Sequence, residues 1–493
     1  MSAIAGIIGR KSAEGEIEKV LTSLKHRGPY NSRTKDVTNG QVGVAEQKQS
    51  VESTAAMSSQ DGPLVLLDGE LYNSRPQGQS DVDMVRDLYL KHGKECFGYL
   101  DGVFACAIFD KDETILARDP LGPRACIYGT KGDELYFASE AKALIPHVSE
   151  VDEIPTCHYY STKEGIKKFK PFIPDVPDFD PDNPEEIAKV VKQVMIEGVE
   201  RSLADGSVGA ISFSGGLDSS IIAGIAKDIK PGLPYVTATM KSKPGPDKEY
   251  SKRMADKYGL DYHLVEITND EMLEALPKAL WHLESFDEDC IFGWIANYFT
   301  ARKCAEFSNC VLVGETADEL FGGYLAEFEY IESEEERQRI CTHLVDIANN
   351  TGLRRMDRGW HANGVTPRAP FIDPSIVAAS RKIPMKFKYY DHKDAVLPEK
   401  WILRAAFEDE NYIPNEITWR PKLRFSRGVG VDALMNDLLG DKVSEEEFSK
   451  MPTTPKTGIK FYSEKERHFY DLFVSLFPAS YENLCVRWDP FYE

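Results

Sequence analysis

Over roughly the first 150 residues, short apolar runs alternate with Gly, Pro and Asp turns. The clearest are Ile4–Ile8, Leu64–Leu67, Val103–Phe109 and Leu135–Ala138. Runs of this length bounded by turn residues predict strands. One helix interrupts them at Asp81–His92, where Val82, Met84, Val85, Leu88 and Leu90 are the apolar positions. Residues 151–180 then become rich in Pro and Asp, in a stretch that runs on to 186 as FIPDVPDFDPDNPEE. That composition signals a linker, and Asp182-Asn183 ahead of Pro184-Glu185-Glu186 reads as a helix start.

From about residue 185 the pattern changes. A helix over 185–204 leads to a short strand, Gly209–Phe213, a Gly/Ser turn and a helix, Ser219–Asp228. Strand Tyr235–Met240, helix 247–258, strand Tyr262–Glu266, a helical stretch over 270–306 and strand Cys310–Val313 follow. Strands alternating with helices imply a parallel, doubly wound sheet. Residues 325–480 read as mostly helical, and the Glu334–Glu336 run as a solvated helix face.

Composition adds limits. A length of 493 residues allows two or three domains at ~150 residues each. No apolar run reaches the ~18 residues of a membrane span, and MSAIAGIIGR lacks the basic start of a secretory signal, so a cytoplasmic protein is expected. The nine cysteines form no CxxC pair and no zinc spacing. With 59 basic against 80 acidic residues, the formal net charge is −21, which disfavours non-specific nucleic-acid binding.

The strongest chemical signal is Ser214-Gly215-Gly216-Leu217-Asp218-Ser219-Ser220, directly after the apolar strand ending at Phe213. Two glycines let the backbone turn sharply and approach a ligand. The helix that follows offers unpaired N–H groups and the positive end of its dipole. Three serine hydroxyls add donors. Asp218 cannot attract phosphate by charge, so its expected work is to hold Mg²⁺. The assembly suits a pyrophosphate group at the C-terminal end of a parallel strand.

This string resembles the signature of the N-type ATP pyrophosphatases, which cleave ATP between the α and β phosphates; a Walker A loop would need GxxxxGK[ST]. Further segments resemble the asparagine synthetase family: Gly314-Glu315-Thr316-Ala317-Asp318-Glu319 and the residues after it to Tyr324, RAPFID at 368–373, KWILRAAF at 400–407 and WRPKLRFSRGVG at 419–430. The resemblance implies that Asp218 and Asp318 are the Mg²⁺ ligands, that Lys422 stabilises the α-phosphate region during adenylation, and that Glu315 assists the nitrogen-transfer step. It places the nucleotide against Ser212, against the strand Tyr235–Met240 through Ala238 and Met240, and against Val313 and Gly314, besides the 214–220 loop. The implied reaction has two steps. A carboxylate attacks the α-phosphate of ATP, giving an acyl-adenylate and pyrophosphate; an amine then displaces AMP and forms an amide. The partners are a small carboxylic acid and ammonia or another amine, with a homodimer as the candidate assembly.

The first part resembles the same family's amidotransferase domain, through IAGIIG at 4–9, KHRGP at 25–29, DGELYN at 68–73, SDVDMV at 80–85, DGVFACAIFD at 101–110, ARDPLGPR at 117–124 and FASEAKAL at 137–144. The resulting expectation is an N-terminal-nucleophile-type αββα sandwich over 1–160, a linker over 161–185, and a doubly wound ATP pyrophosphatase domain with a helical C-terminal part over 186–493. The family's nucleophile is a cysteine after the initiator Met, and here Ser2 stands there. A serine hydroxyl needs stronger activation than a thiol. The family's Asn-Gly-Glu reads Asp68-Gly69-Glu70, and the arginine that would hold the glutamine carboxylate reads Gln47 in Ala45-Glu46-Gln47-Lys48. Asp81 retains the position that contacts the glutamine amine. These departures predict an inactive amidotransferase and an enzyme that forms its amide from ammonia without using glutamine.

The substrate pair stays open. The β-lactam and carbapenam synthetases of this family carry a tyrosine where this chain has Glu315, with a partner glutamate in the stretch where it offers Thr366, so the lactam dyad is absent. A Thr-Thr-x-Arg stretch tied to aspartate recognition corresponds to Asp289-Cys290-Ile291-Phe292, which turns a cation into an aromatic. Three readings follow: a ligase acting on aspartate or a near analogue, a specialised amide or lactam former joining another acid and amine, and a non-catalytic nucleotide-binding relative.

Overall fold

The apolar runs of the first part form two antiparallel sheets stacked face to face. A computed structural model describes residues 2–10, 15–47, 56–58, 62–324, 330–390, 397–439 and 445–489. The six-stranded sheet runs in the order Asn31–Val37, Gly40–Glu46, Ser2–Ile8, Glu134–Ala138, Ile127–Lys131, Asp152–Glu153. The five-stranded sheet runs Gly165–Lys168, His158–Ser161, Glu113–Arg118, Gly102–Asp110, Leu64–Leu71. Side chains alternate across a strand. Ile4, Val42 and Val44 therefore meet Leu66, Ala107 and Leu116 between the sheets, while Ala3, Ala5 and Ile7 face Ile17, Val20 and Leu21 of the helix Glu16–Ser23 outside. Helix Asp81–His92, capped by the Ser80 side chain accepting from the Asp83 N–H, lays Val82 and Val85 on the other sheet. These layers make the expected αββα sandwich. Its last hairpin pairs on Glu113–Arg118 and runs to Lys168, so the connecting stretch begins there and not at 161.

Helix Pro184–Leu203 opens the second part, its N-cap Asn183 accepting from the N–H groups of Glu185 and Glu186. Behind it lies a five-stranded sheet, all parallel, in the order Asp261–Ile267, Pro234–Met240, Ala210–Ser212, Cys310–Leu312, Thr366–Arg368. The last strand escapes sequence analysis because it has three residues with a proline in the middle; an edge position tolerates that missing N–H. The helical stretch over 270–306 divides into Asn269–Leu283 and Glu288–Cys304. Glu284 adopts a left-handed backbone at φ 56°, and its carboxylate accepts from the Ala141 and Lys142 N–H groups of the sandwich at 3.0 and 2.7 Å. A tertiary contact thus ends the helix.

Glu284 belongs to a buried charge cluster that joins the two parts. Arg27 donates to Asp357 at 2.7 Å, Asp68 at 3.0 Å and Glu140 at 3.1 Å. Arg124 also pairs with Asp357, Arg358 with Glu140 and Glu284, and Lys142 with Glu140 and Glu284. Removing one member of a buried, paired set leaves a counter-charge uncompensated, which costs far more than the pair contributes. Burial disfavours ionised Asp357, but Arg27, His361 and Arg124 outweigh it and hold its carboxyl well below the usual range.

Asp357→Asn is expected to destabilise the protein by about 3–5 kcal/mol, read as a lowered urea midpoint at neutral pH. Because the folded-state pKa is depressed, the Asp357 contribution is present above the unfolded value of ~4 and is lost as pH falls. The gap between wild type and variant should therefore narrow on acidification; a constant gap would remove the ion pairing as its cause.

Candidate active site

At the C-terminal end of strand Ala210–Ser212 the chain turns through Ser214–Gly216 into helix Leu217–Ile229. Gly215 has φ 72°, and a Cβ there would come within 2.4 Å of the Ser251 nitrogen, so only glycine fits. The Ser214 hydroxyl accepts from the Gly216 N–H at 3.2 Å and lies 3.0 Å from the Ser219 hydroxyl. Arg420 fastens the turn by donating to the Gly215 carbonyl at 2.6 Å while pairing with Asp247 at 2.9 Å. Beside it, strand Cys310–Leu312 leads through Gly314-Glu315 to Thr316, a non-glycine residue at φ 81°, and the short helix Ala317–Phe321. Such a backbone conformation costs about 1–3 kcal/mol and persists where surrounding structure demands it.

The two strand ends are neighbours, so their acidic residues converge. Lys400 Nζ lies 2.6 Å from both Asp218 Oδ2 and Asp318 Oδ1. Burial pushes the Asp218 carboxyl up, opposed by Lys400 and reinforced by Asp318. Burial also acts on Asp318, but Lys400 and Lys422 outweigh it and hold that carboxyl at about 2. Burial would lower the Lys400 ammonium pKa; the two aspartates reverse this and raise it. Two carboxylates focused on one cation position make a donor set suited to a hard divalent ion.

Together these groups line a cavity of about 100 Å³. Ser212, Ser214, Gly216, Leu217, Asp218 and Ser219 form one wall, and Val313, Gly314, Glu315 and Asp318 another. Lys422 also lines the cavity. Its ammonium sits 3.9 Å from the Tyr324 ring centroid and 3.5 Å from Asp318, and it is buried without a hydrogen-bond partner. Glu315 lies 3.5 Å from both Asn297 Nδ2 and Arg355 Nη2, and burial raises its carboxyl above the usual range with Arg355 opposing.

Other expected contacts fall elsewhere. Gly215 supports the loop from behind. Ser220 is fully buried, because a residue next to Ser219 on a helix points about 100° away. Ala238 and Met240, two apart on a strand and thus on one face, are packed in the core with Ile291 and Ile295. Lys400, Arg420 and Asp289 lie in quoted strings without an assigned role, and Arg355 lies outside them; nothing local marks the partners of any of the four.

A second cavity, about 380 Å³, lies between the parts, lined by Gly69, Glu70, Asp81, Arg75, Gln47 and Arg368 among others. Gln47 donates to the Asn309 carbonyl at 3.2 Å and to that of Gly364, and accepts from Thr366, so it ties the sandwich to the parallel sheet. Asp68 is a buried partner of Arg27. Arg75 pairs with Asp81 and supplies a cation here from a different position. The Ser2 side chain and Lys48 lie outside the described residues.

Comparison with known proteins fits this geometry. The asparagine synthase family model matches residues 191–341 and 329–471, and the glutamine amidotransferase domain model matches 1–189. The chain is 32% identical to a Schizosaccharomyces pombe protein named probable asparagine synthetase (glutamine-hydrolyzing), over 95% of this chain and 91% of that one. It is 30% identical to the glutamine-hydrolyzing asparagine synthetase 1 of Saccharomyces cerevisiae, over 95% and 91%. It is 28% identical to the glutamine-hydrolyzing asparagine synthetase B of Escherichia coli, over 99% and 94%. These matches correct the expectation of an amide formed from ammonia without glutamine. The relatives are glutamine-hydrolysing, and the amidotransferase match covers the whole sandwich. Physically, the expectation weighed single positions, whereas the cavity persists and is lined by the Arg75 cation together with Gln47 and Asp81.

Lys400→Met removes the ammonium between two buried carboxylates. In metal-free buffer it is expected to cost about 3–5 kcal/mol, with thermal stability partly restored by millimolar MgCl₂. A melting curve indifferent to both the substitution and the salt would dismiss the two-carboxylate cation site.

Proposed function

The chain belongs to the asparagine synthase family, and from that premise we propose that the cavity around Asp218, Asp318 and Lys422 activates a small carboxylic acid with ATP. Members of the family are ATP-dependent carbon–nitrogen ligases that form AMP and pyrophosphate. The observation that carries the reading is the Lys422 ammonium, which has no close hydrogen bond beyond its 3.5 Å approach to Asp318 and lines one cavity with the glycine loop and the carboxylate pair. A buried charge left without a hydrogen bond is costly, and a phosphate oxygen would satisfy it.

In this reading the N–H groups at the start of helix Leu217–Ile229 and the Ser214 and Ser219 hydroxyls bind the β,γ-phosphates. Asp218 and Asp318 would hold Mg²⁺, which neutralises phosphate charge when bound. The acid's carboxylate attacks the α-phosphorus, the bond to the β-phosphate oxygen breaks, and pyrophosphate leaves. Lys422 stabilises the charge that develops on the α-phosphate oxygens. A nitrogen nucleophile then attacks the acyl carbon and AMP departs. Glu315, whose basicity burial raises, accepts a proton from that nitrogen. Arg355 and Asn297 orient the Glu315 carboxylate. We place the reaction in the cytoplasm, since all nine cysteines are buried free thiols suited to a reducing compartment. Among the described residues no helix is long and apolar enough to cross a membrane.

Lys422→Ala is expected to reduce acid-dependent pyrophosphate–ATP exchange by at least ~100-fold while leaving the circular dichroism spectrum unchanged. Exchange at the wild-type rate in a folded variant would take Lys422 out of the adenylation step.

A further inference from the structure

Lys422 lines the cavity from a loop whose two ends rest on one buried carboxylate, that of Asp247. At the entry, the Arg420 guanidinium donates to Asp247 Oδ1 at 2.9 Å and lies 4.1 Å from the Tyr250 ring centroid. At the exit, Gly428 packs so closely on the same carboxylate that an added Cβ would collide with Asp247 Oδ2. Gly428 sits in helix Phe425–Val429, where alanine suits the backbone. The contact therefore excludes a side chain there, not the conformation. A Cβ on Gly245 would in turn strike the Gly428 carbonyl. Residues 421–427 are strung between two points that Asp247 holds.

Asp247 begins helix Asp247–Tyr258, and the start of that helix also supports the glycine turn. Gly215 packs on the Ser251 backbone, and the Ser251 hydroxyl donates to the Asp247 carbonyl at 2.6 Å. Arg420 closes the triangle, because its second nitrogen donates to the Gly215 carbonyl at 2.6 Å. Arg404 adds a further tie. It donates to the Thr418 and Arg420 carbonyls at 2.5 and 3.1 Å and to the Glu399 carboxylate at 2.9 Å, so the entry of the loop is fixed to the segment that supplies Lys400.

We propose that Asp247 and Arg420 are positioning residues that fix Lys422 relative to the phosphate-binding turn. Arg420 acts through Gly215 on one side and through Lys422, two residues further along, on the other. The inference rests on the adenylation reading above and goes beyond it in naming what sets the spacing of the two. A lysine ammonium rides on a flexible four-carbon stem, so its precision has to come from the backbone that carries it. Misplacing a catalytic group by ~1 Å costs on the order of 100-fold in rate. One guanidinium shared between the turn and the loop prevents either from shifting alone.

The test is Gly428→Ala in the full-length protein, assayed by pyrophosphate–ATP exchange with a panel of carboxylic acids that includes L-aspartate. The substitution removes no charge and leaves the glycine turn unaltered, but it displaces the Asp247 carboxylate and Arg420 with it. Exchange kcat is expected to fall ~10-fold or more, with the KM for ATP moved by less than ~2-fold. Lys422→Ala should cost at least ~10-fold less in the Gly428→Ala background than in the wild type, because coupled residues do not add. Asp247→Ala is read without turnover, by amide hydrogen exchange. Segments 214–216 and 419–428 should lose protection together, by ~10-fold or more, while helix Pro184–Leu203 keeps its own. Wild-type kcat in folded Gly428→Ala, or additive losses, would overturn the linkage. A parallel rise in the KM for ATP would also overturn it, by showing a general distortion of the pocket. So would loosening of one segment without the other. A wild type that exchanges with no acid of the panel would instead overturn the adenylation reading, and the hydrogen-exchange comparison would still decide whether the turn and the loop are linked.

Discussion

Two largely buried carboxylates that converge on one position cannot both stay ionised unless a cation lies between them, and the cavity is organised around that constraint. Asp218 and Asp318 each begin a helix after a strand, and the two strands are neighbours in the parallel sheet. Sheet order therefore brings the carboxylates together at the ligand side of the fold. Lys400 occupies the shared position from a third element. The same position suits a divalent ion, which would take over the charge balance that Lys400 provides.

The boundary between the two parts obeys the same rule on a larger scale. Arg27, Arg124, Arg358 and Lys142 face Asp68, Glu140, Glu284 and Asp357, all buried. Glu284 ends one helix of the synthetase part and caps backbone N–H groups of the sandwich, and Gln47 reaches the other way to the strand of Thr366. The sandwich and the parallel sheet are thereby fixed relative to each other, with the larger cavity between them. Residues that look like losses when the amidotransferase pattern is read alone, Gln47 and Asp68, have partners across or beside this boundary. Their identity answers to packing of the whole chain.

At the far end of the smaller cavity, charged and aromatic groups form one chain of contacts: Lys422 over Tyr324, Tyr324 against Trp488, Trp488 under Arg424, Arg424 on Asp289. Each ring serves a cation that faces the cavity, so the orientation of these cations depends on a segment distant in sequence. Helix Glu464–Leu476 holds that segment's approach in place by packing Phe469, Tyr470 and Phe473 against Phe292 and Phe286.

Local pattern was enough to reveal the alternating strands and helices, the αββα layering and the glycine loop at 214–219, and to single out Asp218, Asp318 and Lys422, which the fold brings to one cavity. In each case the information is carried by neighbouring residues: periodicity, turn chemistry, or a motif string. It was not enough for the strand at Thr366–Arg368, whose proline reads as a breaker until an edge position accepts it. Nor did it reveal the break at Glu284, or that Ser220, Ala238 and Met240 turn inward. Lys400 stood in a recognisable segment, yet its bond to Asp218 spans 182 residues, and Arg424 meets Trp488 only after the C-terminal helix has docked. What sequence determined is what short-range geometry determines; which charges neutralise one another, and which residues face the cavity, was decided by tertiary structure, because burial and Coulomb partners exist only once distant segments pack.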